Sequence, residues 1–261
     1  MVLATYKKHG LRLTHVWFAA EAELQELRKH RCGTDVFYIH GAAFQDNLSA
    51  MMIFRQKSLI KHICGTEDDV WATYGKHLKS YIKRSQREGS DIRIYRGEQI
   101  TKELLDHCAD LYEQMKAAKG IPDDFNRSLA ECYIREDALD IVMACVEGQP
   151  LGFNAYIADK THFRTWLTAF AFREEEFDAQ VVSRAHQLLE WETMRYCCRN
   201  GITSYDFGGI TSFDNPNGID KFKMTFAKEG EQVTYDNFLL GNSLVGKAGI
   251  AAYKLYKKVR K

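Results

Sequence analysis

The sequence predicts an α+β fold in which helices flank mixed β-sheets, and three observations support this. In residues 139–239, strand-like and helical patterns follow the order hairpin, third strand, long helix, strand, helix, strand. A coarser strand–strand–helix–strand order occupies residues 35–95. The chain has 261 residues and is 45% hydrophobic, enough for the core of one large domain or two small ones. The mixed order indicates a strand–helix–strand crossover in each half.

The first half is predicted to hold two helices and three strands. The longer helix has apolar side chains at i, i+4, i+7 and i+8 on one face, and Gly89 gives it a natural C-terminal stop. The strands are short apolar runs, the last of which alternates with period two. In chain order we expect a helix over residues 20–31, strands over 36–40 and 50–55, a helix over 67–89 and a strand over 91–95.

The second half contains a predicted hairpin with its turn at residues 147–150, and a strong helix that ends at Asn200-Gly201. Val182 and Leu189 lie on the apolar stripe of that helix. In chain order we expect helices over residues 100–118 and 126–137, strands over 139–146, 151–158 and 162–172, a helix over 179–199, a strand over 202–207, a helix over 217–227, a strand over 231–239 and a basic helix over 243–259.

Charge and cysteine usage argue against several classes of protein. With 36 basic and 35 acidic side chains the formal net charge is +1, so no nucleic-acid partner is expected. No apolar run approaches the roughly 20 residues that span a bilayer, and the first residues lack the apolar region of a signal peptide. Seven cysteines without a C-x-x-C pair indicate neither a disulfide framework nor a metal site. We therefore expect a cytoplasmic protein with free thiols and no membrane span.

Three segments carry a resemblance to a known family. They are HLKSYIKRSQREGSDIRI at residues 77–94, GITSYDFGGI at 201–210 and GIDKFKMTFAKE at 218–229. In this order they resemble signatures of the FemXAB peptidoglycan-bridge enzymes and their bacterial GNAT relatives. In the first segment, Ile82, Lys83, Arg87 and Gly89 stand at matching places.

The resemblance implies acyl transfer to an amine by tandem GNAT-like domains, here residues 1–98 and 99–261. Two departures from the family pattern narrow the class of enzyme expected. FemXAB peptidoglycan enzymes are usually longer, and several carry a helical arm for aminoacyl-tRNA that no segment here matches. A standard GNAT also cradles the acyl-CoA pyrophosphate in a Gly-rich loop at a helix N-terminus, whereas residues 172–180, FREEEFDAQ, contain no glycine. Acyl-CoA is the expected co-substrate, with no permanently bound cofactor.

Asp206, Gly208 and Gly209 form the first candidate catalytic group, at the end of a predicted strand. N-acylation needs a free amine, and a carboxylate within reach can take the proton. The two glycines would let a ligand approach the backbone and would offer N–H groups to a forming oxyanion. The alternative is that Asp206 only caps a turn. His162, in the strand cluster that lines the cleft of a GNAT fold, is the rival base.

Four basic side chains are candidate phosphate contacts. Lys83 and Arg87 belong to a basic stripe opposite the apolar face of their predicted helix. Such a stripe is either a solvated face or a phosphate site. Lys221 and Lys223 lie in the third family-like segment, where either lysine could reach a phosphate or simply face solvent.

Two aromatic side chains are candidate contacts for a nucleotide base. Trp166 and Tyr156 lie in the strands that line the cleft of a GNAT fold, where Trp166 could stack on thymine or uracil. The alternative is that both rings belong to the core.

Together these features predict an acyl-CoA-dependent N-acyltransferase acting on a nucleotide-linked amino-deoxy sugar, with dTDP as the expected nucleotide. Short GNAT proteins include such enzymes, among them 3-hydroxybutanoyl transferases of O-antigen, lipopolysaccharide or capsule synthesis. Attack would be direct, because no Cys/His or Ser/His/Asp signature of an acyl-enzyme occurs. Two alternatives stay open: FemXAB-type aminoacyl transfer to a peptidoglycan precursor, and a non-catalytic GNAT-like binding module. The expected partners are small molecules, and a homodimer is left open.

Overall fold

A ten-stranded mixed sheet organises the computed structural model, which describes residues 1–29, 33–42, 52–121, 124–171, 177–227 and 230–259. The strands in chain order are β1 (Val2–Lys8), β2 (Leu11–Trp17), β3 (Val36–Ala42), β4 (Met52–His62), β5 (Ser90–Arg96), β6 (Leu139–Val146), β7 (Gln149–Ala158), β8 (His162–Phe170), β9 (Ser204–Ile210) and β10 (Glu231–Gly241). Across the sheet they lie in the order β1-β2-β3-β10-β4-β9-β8-β7-β6-β5. The predicted α+β class is confirmed.

Helices connect and cover the strands. In chain order they are α1 (Glu21–Lys29), α2 (Glu67–Ala72), α3 (Lys76–Arg87), α4 (Lys102–Ala118), α5 (Arg127–Arg135), α6 (Ala179–Arg199), α7 (Gly218–Phe226) and α8 (Leu244–Val259). The neighbours β2 and β3 are parallel and joined through α1, and the neighbours β8 and β9 are parallel and joined through α6. The crossover in the second half lies where the order of elements predicts it. In the first half, however, the crossover joins β2 to β3, and the predicted strands β4 and β5 of residues 35–95 are not neighbours in the sheet. Within the described ranges, no helix combines the length and the apolar character needed to cross a membrane.

The sheet buries a core on both of its faces. The first face, which includes Tyr205 and Phe207 of β9, packs against α2, α3, α6 and α7. The second face, which includes Phe153 and Ile157 of β7, packs against α4 and α5. Successive side chains of a strand point to opposite faces. Asp206, between Tyr205 and Phe207, therefore points to the second face.

The helix predicted over residues 67–89 is two helices in the structure. Thr66 and Asp69 form a capping box at α2, in which the Thr66 Oγ1 accepts from the Asp69 N–H and the Asp69 carboxylate accepts from the Thr66 N–H. Gly75 then begins α3 from an extended backbone, with φ −68° and ψ 156°. The apolar periodicity continues across this junction, so periodicity alone does not locate it.

An N-terminal hairpin lies outside the strands that the sequence analysis assigns. β1 and β2 pair over their full length around a turn at His9 and Gly10, whose φ angles are 50° and 79°. Two successive positive φ angles suit the turn that matches the twist of a hairpin. The signal was present in β1, where Val2, Ala4 and Tyr6 alternate with more exposed residues.

The predicted domain boundary after residue 98 stays a prediction. One sheet runs through both predicted domains without a break. β5 belongs to the first predicted range and pairs with β6 of the second. β10 belongs to the second range and lies between β3 and β4 of the first.

Gly152 of β7 leaves no room for a side chain. A Cβ there would lie 2.4 Å from ring carbons of Phe170 and 2.5 Å from the Ala169 carbonyl oxygen. We expect Gly152→Ala to lower the free energy of unfolding by about 1–3 kcal/mol through overpacking, as measured by urea denaturation. Gly218→Ala is the control, because a Cβ there meets no atom within 4 Å. Equal losses in the two variants would contradict this account.

Candidate active site

The candidate site lies where two parallel central strands separate. β8 and β9 pair over only three residues each, ending at the rung between Arg164 and Asp206. The strands continue to Phe170 and Ile210 without further pairing to each other. Residues 165–168 of β8, just beyond the last rung, are half-buried, whereas the residues on either side are buried. The separation therefore leaves an opening in the centre of the sheet.

Asp206 and Arg164 form a buried ion pair on the last rung, with side chains 10% and 7% exposed. Arg164 donates to Oδ2 of Asp206, and the Tyr235 hydroxyl donates to the same oxygen at 3.1 Å. Oδ1 accepts from the Ser58 hydroxyl and, at 2.7 Å, from the Gly208 N–H. Four donors thus hold the carboxylate that the sequence analysis names as the base.

Gly208 shapes β9 at the opening. Its φ is +74°, and a Cβ there would lie 3.0 Å from the carbonyl oxygen of Thr165 on β8. The register of β9 against β4 also shifts at this point. Both the left-handed conformation and the close approach require glycine. The Gly208 N–H is already bonded to Asp206, so it is not free for an oxyanion in this conformation.

Lys223 of α7 reaches the opening from the first face. Its Nζ donates to the carbonyl oxygen of Gly209 at 2.7 Å. Burial lowers the pKa of Lys223, while the nearby carboxylates of Glu190, Asp206 and Asp220 act in the opposite direction. A partly buried ammonium with one backbone acceptor has two further N–H donors for a ligand.

A buried carboxylate that the sequence analysis did not select lies on the first face. Glu190 of α6 is 4% exposed and accepts from the Tyr205 hydroxyl at 2.6 Å and from the Asn154 amide at 2.9 Å. The Tyr205 hydroxyl also lies 2.9 Å from that of Tyr156. The only sequence signal for Glu190 was an acidic residue inside the apolar stripe of a long helix. Its negative charge opposes the effect of burial on the pKa of Lys223, so the two groups are electrostatically coupled.

A chain of rings on the second face links Arg164 to a cavity. The Arg164 guanidinium lies 5.3 Å from the ring centroid of Trp17, and the His40 ring stacks on Trp17 at 3.5 Å. His15 Nδ1 and His40 Nε2 are 2.9 Å apart. Burial lowers the pKa of His15 to about 4, and burial also lowers that of His40 well below its usual value. Both rings are therefore neutral at pH 7, and one donates to the other.

The cavity has a volume of about 1060 Å³, and its lining combines aliphatic side chains, aromatic rings, polar groups and cations. His15, Gln56 and Asn237 supply polar groups, and the Asn237 amide donates to the Gln56 oxygen at 3.0 Å. The rings are Tyr6, Tyr38, Phe54, Tyr253 and Tyr256, and the cationic side chains are Lys8, Arg55 and Lys257. No carboxylate belongs to the lining within the described part of the chain. Arg55 also pairs with Asp236, at 3.1 Å.

Both aromatic side chains that were predicted to contact a nucleotide base lie away from this cavity. Tyr156 is fully buried on the first face, where its hydroxyl accepts from the Asn154 amide at 2.9 Å. Trp166 is half-buried on the second face and packs against Tyr133, with ring centroids 5.2 Å apart. It is the extra residue of a bulge between β7 and β8. Neither ring lines the described cavity.

The remaining predicted residues occupy three places. His162 lies two rungs before Arg164, outside the opening, where its ring is 3.0 Å from the Asp159 carboxylate. Lys221 is exposed on α7. Lys83 and Arg87 are exposed on α3.

The C-terminal end of α3 lies beside the start of α6. Glu88, which ends α3, accepts two hydrogen bonds of 2.7 Å from Arg184 in the second turn of α6. The basic stripe of α3 is therefore close to the N-terminus of α6. Asp178 caps that terminus and accepts from the Gln180 N–H at 2.7 Å. The preceding glutamates, in residues 172–176, lie outside the described residues.

Comparisons with known proteins give a family match and several fold matches. A family model described as an acetyltransferase (GNAT) domain matches residues 74–224, more than half of the chain. No curated protein matches the chain. The chain is similar to a structure of FemX, at 12% identity and a TM-score of 0.56, over 90% of this chain and 83% of that one.

Two further structures have a similar fold. One is the C-terminal domain (DUF2156) of a putative lysylphosphatidylglycerol synthetase from Agrobacterium fabrum, at 12% identity and a TM-score of 0.53, over 97% of this chain and 84% of that one. The other is L-PGS from Bacillus licheniformis, at 13% identity and a TM-score of 0.50, over 91% of this chain and 79% of that one. At these identities the similarity concerns the fold alone.

The Arg164–Asp206 pair makes a testable contribution to stability. We expect Asp206→Asn to lower the free energy of unfolding by about 3–5 kcal/mol, because it leaves the buried Arg164 without its counter-ion. Asp91→Asn is the control, since its ion pair with Arg93 is exposed and is worth about 0–1 kcal/mol. Urea denaturation of both variants measures the difference. A loss below about 1 kcal/mol in Asp206→Asn would show that the pair does not hold the strands together.

Proposed function

The chain belongs to the GNAT acetyltransferase family, and from this premise we propose that it acylates the amine of a nucleotide-linked amino sugar, using acyl-CoA as donor. Acyl transfer to an amine is the family's chemistry. The observation that carries the rest of the proposal is the opening between β8 and β9, with the Lys223 ammonium at Gly209 on one face and a large cavity on the other. We propose the amino sugar, its nucleotide and the acyl-CoA donor together.

The reacting groups would meet at the opening. The acceptor nitrogen attacks the thioester carbonyl carbon, the carbonyl oxygen becomes an oxyanion, and the carbon–sulfur bond then breaks to release CoA. Lys223 supports this step, because its ammonium is held at Gly209 and keeps two donors for the oxyanion. A donor placed in advance and partly shielded from water stabilises such a charge better than solvent does.

The acceptor proton must leave before or during attack. Asp206 remains our proposed base, with Tyr235 as the route to it, since the half-buried Tyr235 hydroxyl donates to Oδ2. The other three donors fix the orientation of the carboxylate. His162 is a weaker candidate, because it pairs with Asp159 outside the opening.

The donor phosphates would lie at the N-terminus of α6, the position that binds them in GNAT enzymes. This chain has no glycines there to let backbone N–H groups surround the phosphates. Cationic side chains would have to replace those contacts. Lys83 and Arg87 are exposed on α3, whose end is tied to α6 through Glu88 and Arg184. Together with the helix dipole, these cations would offset the charge of a diphosphate.

The cavity on the second face suits the acceptor. Its volume of about 1060 Å³ can hold a nucleotide sugar. Tyr38 and Phe54 provide flat apolar surfaces for a base, and Lys8, Arg55 and Lys257 provide charge for two phosphates. Tyr38 and Phe54 take over the stacking role that the sequence analysis gives to Trp166.

The proposal is tested by mixing the purified chain with acyl-CoAs and a panel of dTDP- and UDP-linked amino sugars. We expect release of free CoA thiol and an acylated nucleotide sugar in the mass spectrum, without tRNA. Product only from charged tRNA and a muramyl-peptide precursor would favour the aminoacyl-transfer alternative. Absence of turnover with every donor and acceptor would favour the binding-module alternative.

Replacing Lys223 distinguishes a role in acyl transfer from a role in substrate binding. We expect Lys223→Met to lower kcat about 10²–10³-fold, because one oxyanion donor is lost, while KM for both substrates changes little. Steady-state kinetics measure both constants. Lys160→Met is the control, since Lys160 is exposed in the turn before β8. A raised KM with normal kcat would place Lys223 in substrate binding instead.

The basic stripe makes a separate prediction. Because charge-assisted contacts to phosphate contribute about 1.5–3 kcal/mol each, Lys83→Ala should weaken acyl-CoA binding about tenfold or more in calorimetry. The matched control is Lys102→Ala, which removes an exposed lysine from the start of α4 on the other face. Unchanged affinity in Lys83→Ala and in Arg87→Ala would show that the stripe is only a solvated surface.

A further inference from the structure

The C-terminal helix α8 is attached to the sheet along one side. Ile250 is 3% exposed, and Ser243, just ahead of the helix, donates from its hydroxyl to the Asp35 carboxylate at 2.8 Å. Further along, Lys257 Nζ lies 4.8 Å from the ring centroid of Phe54 on β4. Residues 251–258 are nevertheless all exposed, so the opposite side of the helix faces solvent.

The side of α8 opposite Ile250 is an apolar stripe in contact with solvent. Its residues recur at helical spacing and are all exposed: Leu244, Val245, Ala248, Ala252 and Leu255. Leu244 is 85% exposed, Val245 64% and Leu255 65%. Large apolar side chains grouped in this way mark an interaction surface more often than leucines scattered singly.

Lysines border this stripe, and acidic residues are absent from the helix. Lys247 and Lys258 lie beside the apolar stripe at helical spacing, whereas Lys254 is nearer the attached side and Lys257 lies over the Phe54 ring, 4.8 Å from its centroid. The sequence of residues 244–259 contains no Asp or Glu. A helix with one apolar face and flanking lysines suits the boundary between lipid headgroups and acyl chains. The lysine stems can lie along the apolar layer while their ammonium groups reach the headgroups.

We propose that α8 docks the protein on the surface of a bilayer that contains anionic lipid. The apolar stripe enters the headgroup boundary, and the lysines contact lipid phosphates. A second copy of this chain is a poorer occupant, because stripe-to-stripe contact would pair two helices that each carry four lysines and no carboxylate. The helix would lie in the plane of the surface, and this docking is independent of the acyl-transfer proposal.

Sedimentation with vesicles tests the proposal on the full chain. We expect binding to vesicles of phosphatidylcholine with 30% phosphatidylglycerol, and at least tenfold weaker binding to phosphatidylcholine alone. Binding should fall in 1 M NaCl, where the screening length is about 3 Å. Absence of binding to the anionic vesicles, or equal binding to both, would overturn the proposal.

Two sets of variants locate the contact. Leu244→Ser with Leu255→Ser should abolish vesicle binding, and Lys247→Gln with Lys258→Gln should weaken it about 25-fold, at roughly fivefold for each lysine. These positions are exposed, so the fold should be retained, and circular dichroism checks this. Ile219→Ser is the control, because Ile219 is 59% exposed on α7, and it should bind vesicles normally.

The oligomeric state tests whether a second copy of the chain, instead of a bilayer, covers the apolar stripe. Analytical ultracentrifugation should give the same mass for the original chain and for Leu244→Ser with Leu255→Ser. A dimer that becomes a monomer in this variant, without vesicle binding by the original chain, would show that the stripe joins two copies and would overturn the proposal.

Discussion

The ion pair between Arg164 and Asp206 is the interaction on which the centre of this structure depends. It closes the last rung between β8 and β9, and its other hydrogen bonds reach β4 through Ser58 and β10 through Tyr235. A buried ion pair is favourable only when further hydrogen bonds satisfy both ions. The four donors around Asp206 meet that condition. The pair thus fixes four strands at the point where two of them separate.

The separation gives the two faces of the sheet different chemistry at one point. The first face offers Lys223 and Glu190, and the second offers the neutral His15–His40 pair and a largely apolar cavity whose charged lining residues are cations. Under the proposed function, the donor and the acceptor approach from opposite faces. They meet where no ladder hydrogen bonds close the sheet. Under the same proposal, the substrates themselves would keep water from this point, since each would cover its own face.

Local signals in the sequence predicted most of the elements, and long-range pairing explains what they did not predict. The segment GITSYDFGGI predicts a strand over residues 202–207 that ends before Gly208, whereas β9 continues to Ile210 and holds Asp206 and Gly208 within it, beside the opening. Its partner Arg164 was not identified, because an arginine in an alternating strand reads as a solvent-facing residue. The contact joins positions 42 residues apart. Glu190 was missed for a similar reason, since only the folded structure shows that Tyr205 and Asn154 satisfy it.

The place of β10 determines the order in which this chain can complete its fold. β10 fills the gap between β3 and β4, and Glu231 pairs with Ile60, 171 positions earlier. Until residues 231–241 have left the ribosome, β3 and β4 each keep an unpaired edge of backbone donors and acceptors. Such edges invite pairing with other chains, and closing so long a loop slows folding. The pairing of β3 and β4 is therefore complete only after β10 has been made, and chains halted before β10 would expose both edges to aggregation.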